Sequence, residues 1–379
     1  MVPATPGSSL VEYSVTAPSI QHHTPAILPA TEASLRRAAE VLAAGGLVGL
    51  PTETVYGLAA NAWDTAAVSR IFAAKGRPAS NPLIVHVAEV GRIAEALQWP
   101  PTAVIGDQLE RLVDLWPGPL TLVGPRGPRV SDLVTAGRAT VAVRIPAHDV
   151  ARRLLDLCPF PLAAPSANRS CYISPTRAEH VCDASGLAAH VSLVLDGGPA
   201  VHGVESTILL LGERPRLLRP GSITADVLAE RLGISVGDLV MASEPAIKTA
   251  PSVGAVADTA GLLAPGMMKE HYAPVTPLVL LDHRSRLASA GHERPEPAGP
   301  LGRIAFEPLN ADQAAAYHTV ETLSQSGDLV EVAHHLFAAL RRLDRLGLAA
   351  IHCDSCPPIG LGQAIMDRLR RAAARWERP

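Results

Sequence analysis

The chain has no run of eighteen apolar residues without interruption, no basic stretch followed by an apolar core at its N-terminus, and almost no lysine, with three Lys against 30 Arg in 379 residues. The first two absences argue against a membrane-crossing helix and a secretory leader, so a cytoplasmic protein with no membrane partner is expected. Paired cysteine spacing is missing too. The five Cys, at 158, 171, 182, 353 and 356, form an odd and irregular set, which speaks against a disulfide scaffold and for a reducing compartment. Charge is nearly balanced at −3, so strong non-specific binding to nucleic acid is not expected, although a local basic groove is compatible with it. Neither G-x-x-x-x-G-K-[ST] nor a G-x-G-x-x-G between strand and helix occurs, so any nucleotide site must be built in another way.

What is present is an apolar share of 47 % and a charged share of 18 %, enough to bury a core. The length exceeds one ordinary domain of roughly 150 residues, so two or three are expected. Residues 1–28 are rich in Pro, Ser, Thr and Ala without periodicity and read as a loose extension. From Thr31 the pattern changes. Leu35, Ala38, Ala39 and Leu42 fall at helical spacing before Gly45-Gly46, the strand Leu47 to Leu50 follows, and Asp64 caps a helix that ends with Lys75 before Gly76. Further apolar runs at 83–87, 120–123, 140–145, 193–195 and 206–211, with helical stretches near 104–115, 148–157 and 224–232, alternate irregularly. That suggests an α/β fold on a mixed sheet, not repeated βαβ units.

Between Met241 and Ala264 the sequence turns to Ala, Ser, Pro, Gly and Thr and reads as a linker. Strands at 278–281, 303–306 and 349–352, a helix with Val332, Leu336, Leu340 and Leu343 on one face, and a last helix from near Gln363 suit a small three-layer α/β domain with a mostly parallel sheet. The expected organisation is an extension (1–28), a first domain (29–240), a linker (241–275) and a second domain (276–379).

Candidate chemistry gathers at strand ends. Pro51-Thr52-Glu53-Thr54-Val55-Tyr56-Gly57-Leu58 follows a buried strand and offers two hydroxyls, a carboxylate and a phenol; it is either a capped turn or a site for a small polar substrate. In Lys75-Gly76-Arg77-Pro78-Ala79-Ser80-Asn81-Pro82, two cations bracket a glycine at a helix end, fitting either a helix C-terminal complement or a pair aimed at phosphate oxygens. His86 shares a strand face with Ile84, as a packed histidine or a ligand contact. Period two places Thr140, Ala142 and Arg144 on one face of a strand whose other face is apolar. The small residues of Ala163-Ala164-Pro165-Ser166-Ala167-Asn168-Arg169-Ser170 let backbone N–H groups approach an anion. Glu205-Ser206-Thr207 opens an apolar strand, and Arg219-Pro220-Gly221-Ser222 adds an arginine at a bend.

Taken in order, LPTETVYGLAANA, KGRPASNPLIVHV, PGPLTLV, TVAVRIPAH, APSANRS with SPT, VLDGG, VESTILLL and LRPGSI resemble the motifs of the YrdC/Sua5 family, the threonylcarbamoyl-AMP synthases. PGMMKEHYAP at 265–274 is similar to that family's interdomain segment, and GLGQAIMDRLRRAA at 360–373 to its C-terminal Sua5 domain. The resemblance implies an α/β fold with a YrdC-like twisted mixed sheet and flanking helices, plus a smaller Rossmann-like C-terminal domain.

It also implies a nucleotidyltransferase that condenses L-threonine, bicarbonate and ATP, with Mg²⁺ on the leaving phosphates, into threonylcarbamoyl-AMP and pyrophosphate. The product would pass to the machinery that makes t6A in tRNA, with weak RNA or tRNA binding as a further partner. Carried over by resemblance, Thr54, His86, Arg144, the Ala164 backbone and Ser206 hold threonine, Arg144 meeting its carboxylate. Arg77, Asn81, Thr140, Ser166, Asn168, Ser174, Arg219 and Tyr272 contact ATP, Lys75 and Arg77 act catalytically, and the linker is a lid. No resident metal site is expected.

Two departures from the family pattern stand out: Cys171 where glycine is usual, and Lys269-Glu270 in place of a more basic run. Cys353 and Cys356 beside His352 lack a second ligand pair at zinc spacing and are expected to hold no metal. Arg368, Arg370, Arg371, Arg375 and Arg378 in the last helix read as a solvated face or a docking surface. Two rival readings are an RNA-binding module without catalysis and a related enzyme that makes carbamoyl-adenylate from carbamoyl phosphate.

Overall fold

The computed structural model describes residues 25–183, 187–241, 262–282 and 298–376. Residues 1–24 of the expected extension, 242–261 of the expected linker, and Arg378 lie outside the described residues. The first sheet contains β1 (Ala26–Pro29), β2 (Val48–Leu50), β3 (Gly57–Asn61), β4 (Ile84–His86), β5 (Leu120–Pro125), β6 (Thr140–Arg144), β7 (Leu162–Ala163), β8 (Leu193–Asp196), β9 (Thr207–Leu210), β10 (Arg216–Arg219) and β11 (Val240–Met241). Their order is β1-β8-β2-β3-β7-β4-β6-β5-β9-β10-β11, with parallel and antiparallel pairs mixed. The end of the extension is therefore structured: Ala26–Pro29 pairs in parallel with β8, a strand too short and too exposed to register in an apolar pattern. β3 likewise escapes periodicity because GLAAN is built of small residues.

Among the described residues six α-helices accompany this sheet: α1 (Glu32–Ala43), α2 (Thr65–Lys75), α3 (Ala103–Leu112), α4 (Asp132–Thr135), α5 (Asp149–Leu157) and α6 (Ala225–Leu232). α2 starts where the Asp64 carboxylate accepts the N–H groups of Ala66 and Ala67, and stops at Gly76, whose φ of 58° suits glycine far better than a residue with a Cβ. Strand alternation then decides which face each helix covers. Leu58, Ala60, Val85, Val141, Val143, Val194 and Leu209 pack with α2, α3 and α6. On the other face, Val48, Leu50, Ala59, Leu193 and Leu195 pack with α1 and α5.

That second face is only half covered by helices of the first domain. Its β4, β6, β5 and β9 portion presents Ile84, Ala142, Val123 and Ile208 to Ala264 and Met267 of the 262–273 segment. The candidate site lies here, under a segment, not a helix.

The second sheet, β12 (Leu278–Leu281), β13 (Leu301–Ala305), β14 (Thr319–Thr322) and β15 (Ala350–Asp354), is fully parallel in the order β12-β15-β13-β14. With α7 (Ala311–Ala315), α8 (Leu329–Asp344) and α9 (Leu361–Ala373) it forms the small parallel α/β unit expected from the sequence. Ile304, Ile351 and Cys353 face α8 and α9, which share one core. Among the described residues, the opposite face carries Arg303 and His352, both hydrogen-bonded to the Tyr317 hydroxyl, so the expected third layer is represented there only by the Tyr317 segment.

Candidate active site

The parallel register of β4 and β6 sets His86 beside Arg144, on the face that also carries Ile84 and Ala142. After β2 the chain turns at Thr52, whose hydroxyl donates to the Val55 carbonyl at 2.5 Å and accepts the N–H groups of Thr54 and Val55. This hydroxyl turn aims the next two side chains at β6. Arg144 Nη1 donates to Thr54 Oγ1 (2.9 Å), Nη2 to Glu53 Oε1 (2.7 Å) and Nε to the Gly118 carbonyl (3.2 Å). Burial alone would raise the Glu53 carboxyl, but Arg144 outweighs it and holds the group below its ordinary value. His86 is driven the other way, to about 3, chiefly by burial and then by Arg144, so its ring is neutral at physiological pH.

Arg219 enters from the end of β10. Its Nε donates to the Ser206 carbonyl and Nη2 to Ser206 Oγ, each at 3.0 Å, while Ser206 Oγ also meets Thr121 Oγ1 at 2.7 Å. Arg77, just past α2, uses Nε and Nη2 on the Asn81 carbonyl, Asn81 Oδ1 and the Pro82 carbonyl. Burial pulls its pKa down to about 10, which leaves it charged near neutrality.

The 262–273 segment closes the site. Arg219 Nη1 reaches the Pro265 carbonyl, and Asn81 Nδ2 reaches Met268 Sδ at 3.3 Å. Gly266, with φ of 81°, passes so close that a Cβ there would stand 2.8 Å from the Tyr272 hydroxyl and 3.0 Å from Arg219. Tyr272 is buried, stacks on Phe337 of α8 at 5.6 Å, and its hydroxyl has no hydrogen-bond partner among the described residues. His271 beside it is held neutral by burial and the surrounding cations Arg77, Lys75, Arg219 and Arg368. The enclosed space is about 50 Å³, room for a few waters and far too little for a nucleotide.

Thr54, His86, Arg144, Ala164 and Ser206, all expected on the amino-acid side, line this one cavity, and so do Arg77, Ser166, Arg219 and Tyr272 of the nucleotide set. Lys75 does not. Its Nζ is buried behind the loop after β7 and donates to the carbonyls of Ser166 (2.5 Å) and Asn168. Burial, and then Arg77, lower its pKa well below the ordinary lysine value, and with or without its extra proton the amine has N–H groups for two carbonyls. Asn81 stands behind Arg77, Asn168 uses Nδ2 on the carbonyls of Arg169 and Tyr172, and Thr140 lies at the far end of β6 from Arg144. Ser174 is also one layer back, donating to Glu205 Oε1 at 2.5 Å.

Glu205 and Glu53 stood in candidate segments of the sequence without an assigned role and enter here as a lining carboxylate and as the partner of Arg144, while Gly266 and His271 in the lining had no role in the sequence reading. Arg368, expected on a solvated face or a docking surface for a partner, is instead fully buried inside the chain against Glu205. The signal was available, since Arg368 follows Ile365 by three and precedes Ala372 by four on the apolar stripe of α9. Lys269 is exposed and Arg371 donates to the Met268 carbonyl, so the segment is tied down from the second domain. Cys353 and Cys356 are buried thiols, Cys356 pushed up to about 11 by burial, and no group of three metal-binding side chains exists among the described residues. No helix among them is long and apolar enough to cross a membrane.

Residues 40–221 match the profile of the Sua5/YciO/YrdC family, described as telomere recombination, and residues 228–374 match the threonylcarbamoyl-AMP synthase C-terminal domain. The threonylcarbamoyl-AMP synthase of Pyrococcus abyssi is 40 % identical over 351 residues, 90 % of this chain and 94 % of that protein. That of Bacillus subtilis is 38 % identical over 349 residues, 91 % of this chain and 94 % of its own. The crystal structure of P. abyssi Sua5 complexed with L-threonine superimposes with a TM-score of 0.75 at 37 % identity, covering 90 % of this chain and 95 % of that one.

Proposed function

The chain belongs to the Sua5/YrdC family of threonylcarbamoyl-AMP synthases, and from that premise we propose that it condenses L-threonine, bicarbonate and ATP into threonylcarbamoyl-AMP and pyrophosphate. The observation that carries the reading is the convergence of Arg77, Arg144 and Arg219, far apart in the chain, on one closed cavity that also holds the hydroxyls of Thr54 and Ser206.

Arg144 has five N–H groups and gives three of them to Gly118, Thr54 and Glu53. Two remain, the number that a bidentate carboxylate needs, which supports this residue as the partner of the threonine carboxylate. Ser206 and the Ala164 backbone complete the amino-acid subsite, with His86 as a neutral hydrogen-bonding wall. The threonine amine adds to bicarbonate with loss of water, giving a carbamate that is short-lived in bulk solvent. One carbamate oxygen then attacks the α-phosphorus and pyrophosphate departs. A water-poor enclosure protects the carbamate until that step.

Arg77 and Arg219 face the side of the cavity nearer the 262–273 segment, where fixed guanidinium groups stabilise charge growing on phosphoryl oxygens. Ser166 and Tyr272 line this nucleotide side. Asn81 and Ser174 act behind Arg77 and Glu205, Lys75 and Asn168 hold the loop, and Thr140 is assigned to the nucleotide by resemblance alone. Among the described residues no group of three His, Cys, Asp or Glu side chains could hold a metal; magnesium brought in with ATP would supply charge neutralisation on the leaving phosphates. The cavity is too small for ATP in this state, and we infer that the 262–273 segment moves aside as a lid when ATP enters. In a cytoplasmic setting the adenylate would serve t6A synthesis on tRNA.

The test is pyrophosphate release by the purified protein with MgATP, threonine and bicarbonate, together with mass identification of the adenylate. Release should require both threonine and bicarbonate. Release that continues without either one overturns the proposal.

A further inference from the structure

Glu205 places a carboxylate in the wall of a cavity otherwise rich in guanidinium groups. An uncompensated anion there would repel a triphosphate and would itself be costly to bury. Its compensation comes from the other domain. Arg368 of α9, 163 residues further along the chain, donates Nε to Glu205 Oε2 at 2.9 Å and Nη2 to the Glu205 carbonyl at 3.3 Å. Nη1 reaches the carbonyl of Pro220, the residue after Arg219, at 2.8 Å. The Arg368 side chain is 0 % exposed and that of Glu205 7 %. With one oxygen on Arg368, the Glu205 carboxylate keeps the other for the Ser174 hydroxyl at 2.5 Å. The result is a relay from α9 through Glu205 to Ser174, with a side branch to the bend that carries Arg219.

We propose that Arg368 is a positioning residue of the nucleotide subsite: by neutralising and orienting Glu205 it fixes Ser174 and the Arg219 bend, so the second domain completes the active site as well as covering it. This rests on the assignment of the cavity to ATP and threonine. A guanidinium fork is required because four acceptors in different directions must be met at once, Glu205 Oε2, the carbonyls of Glu205 and Pro220, and Asp367 Oδ2 at 2.8 Å, which a single ammonium does less well.

The experiment measures the KM for ATP and for threonine in the full-length enzyme, with folding followed by thermal unfolding. Arg368→Gln should raise the ATP KM by about tenfold, equivalent to a coupling of about 1.4 kcal/mol, while the threonine KM stays near the wild-type value. Adding Glu205→Gln to Arg368→Gln should bring the ATP KM back most of the way, because position 205 then carries no charge to neutralise and Asp367, the other carboxylate on Arg368, keeps its ion pair with Arg371. Loss of mere interdomain packing would not be repaired that way. Tyr172→Phe, which breaks the interdomain bond to Asp344 without touching the cavity, should lower the unfolding temperature and leave both KM values unchanged. If Arg368→Gln fails to fold, Arg368→Lys keeps the charge without the fork and should still raise the ATP KM. An unchanged ATP KM in a folded Arg368 variant, or a double variant no better than the single, overturns the inference. Wild-type enzyme that releases no threonine-dependent pyrophosphate would instead overturn the assigned reaction, a separate outcome.

Discussion

Glu53 Oε1 accepts a 2.7 Å hydrogen bond from Arg144 Nη2, and the two side chains are only 7 % and 4 % exposed. The pair is shielded from water, so removing one partner leaves a buried charge alone. That costs about 3–5 kcal/mol in comparable sites. Glu53→Ala should therefore lose stability on that scale, with Glu53→Gln losing less because its amide oxygen still accepts. Glu53→Ala should raise the threonine KM, as the guanidinium loses one of the three groups that orient it, and Glu53→Gln should raise it less. Denaturant unfolding and steady-state kinetics check this; a Glu53→Ala protein as stable as wild type would mean that the pair does not hold the site.

Lys75 leads to a different expectation from Arg77, although they stand two residues apart. Lys75→Met keeps the length but strips the donors from the carbonyls of Ser166 and Asn168, and each buried acceptor left unmet costs about 1–3 kcal/mol. Stability and ATP KM should suffer together, since the loop that carries Ser166 loosens. Arg77→Ala removes a group from the cavity wall, so turnover should fall by about 10²-fold or more, the usual effect of a lost charge-stabilising donor. A Lys75→Met variant with wild-type stability and a large turnover defect would instead place the amine in contact with substrate.

These two residues also mark how far the sequence could be read. Thr54, His86, Arg144, Ala164, Ser206, Arg77 and Arg219 were legible through the family motifs that carry them, and local pattern by itself only placed residues such as His86, Arg144 and Arg77 at the ends of a strand or helix. Lys75 was legible as unusual but not in its contacts: helix spacing places it at the end of α2 and says nothing of the loop 91 residues later that it meets. Arg368 and Glu205 are further apart still, and their pairing depends on how two domains dock. The short strands β1 and β3 were missed for another reason. Their pairing comes from neighbours in the sheet, while their own residues are few or small.

Acid should unfold this protein through its buried histidines. His86 and His180 are each lowered to about 3, first by burial and then by arginines. In the unfolded chain they return to about 6.5. Between those values the unfolded state binds more protons, so stability present above about pH 6.5 is lost as pH falls towards 3. The slope is about 1.4 kcal/mol per pH unit for each histidine. Urea unfolding at about pH 7 and about pH 5 should show the loss, and His180→Gln should make the dependence shallower. Because His86 stays neutral across this range, turnover should show no limb near 6.5 from its titration. A pH-independent stability would mean that these rings are solvated.

Cys171 adopts φ of 66°, in the left-handed region, and its carbonyl accepts the Ala273 N–H at 2.9 Å, which ties the loop ahead of Ser174 to the covering segment. A side chain in that conformation costs about 1–2 kcal/mol, and glycine relieves it. Glycine also gives the unfolded chain more freedom, which takes back about 0.4–1 kcal/mol. The first effect is the larger, so Cys171→Gly should be stabilising by up to about 1.5 kcal/mol, a rise of roughly 2–4 °C in the unfolding temperature per kcal/mol. Cys171→Ala keeps the Cβ and should bring no such gain. If Ala and Gly shift the unfolding temperature equally, the thiol itself and not the backbone conformation is what matters at this position.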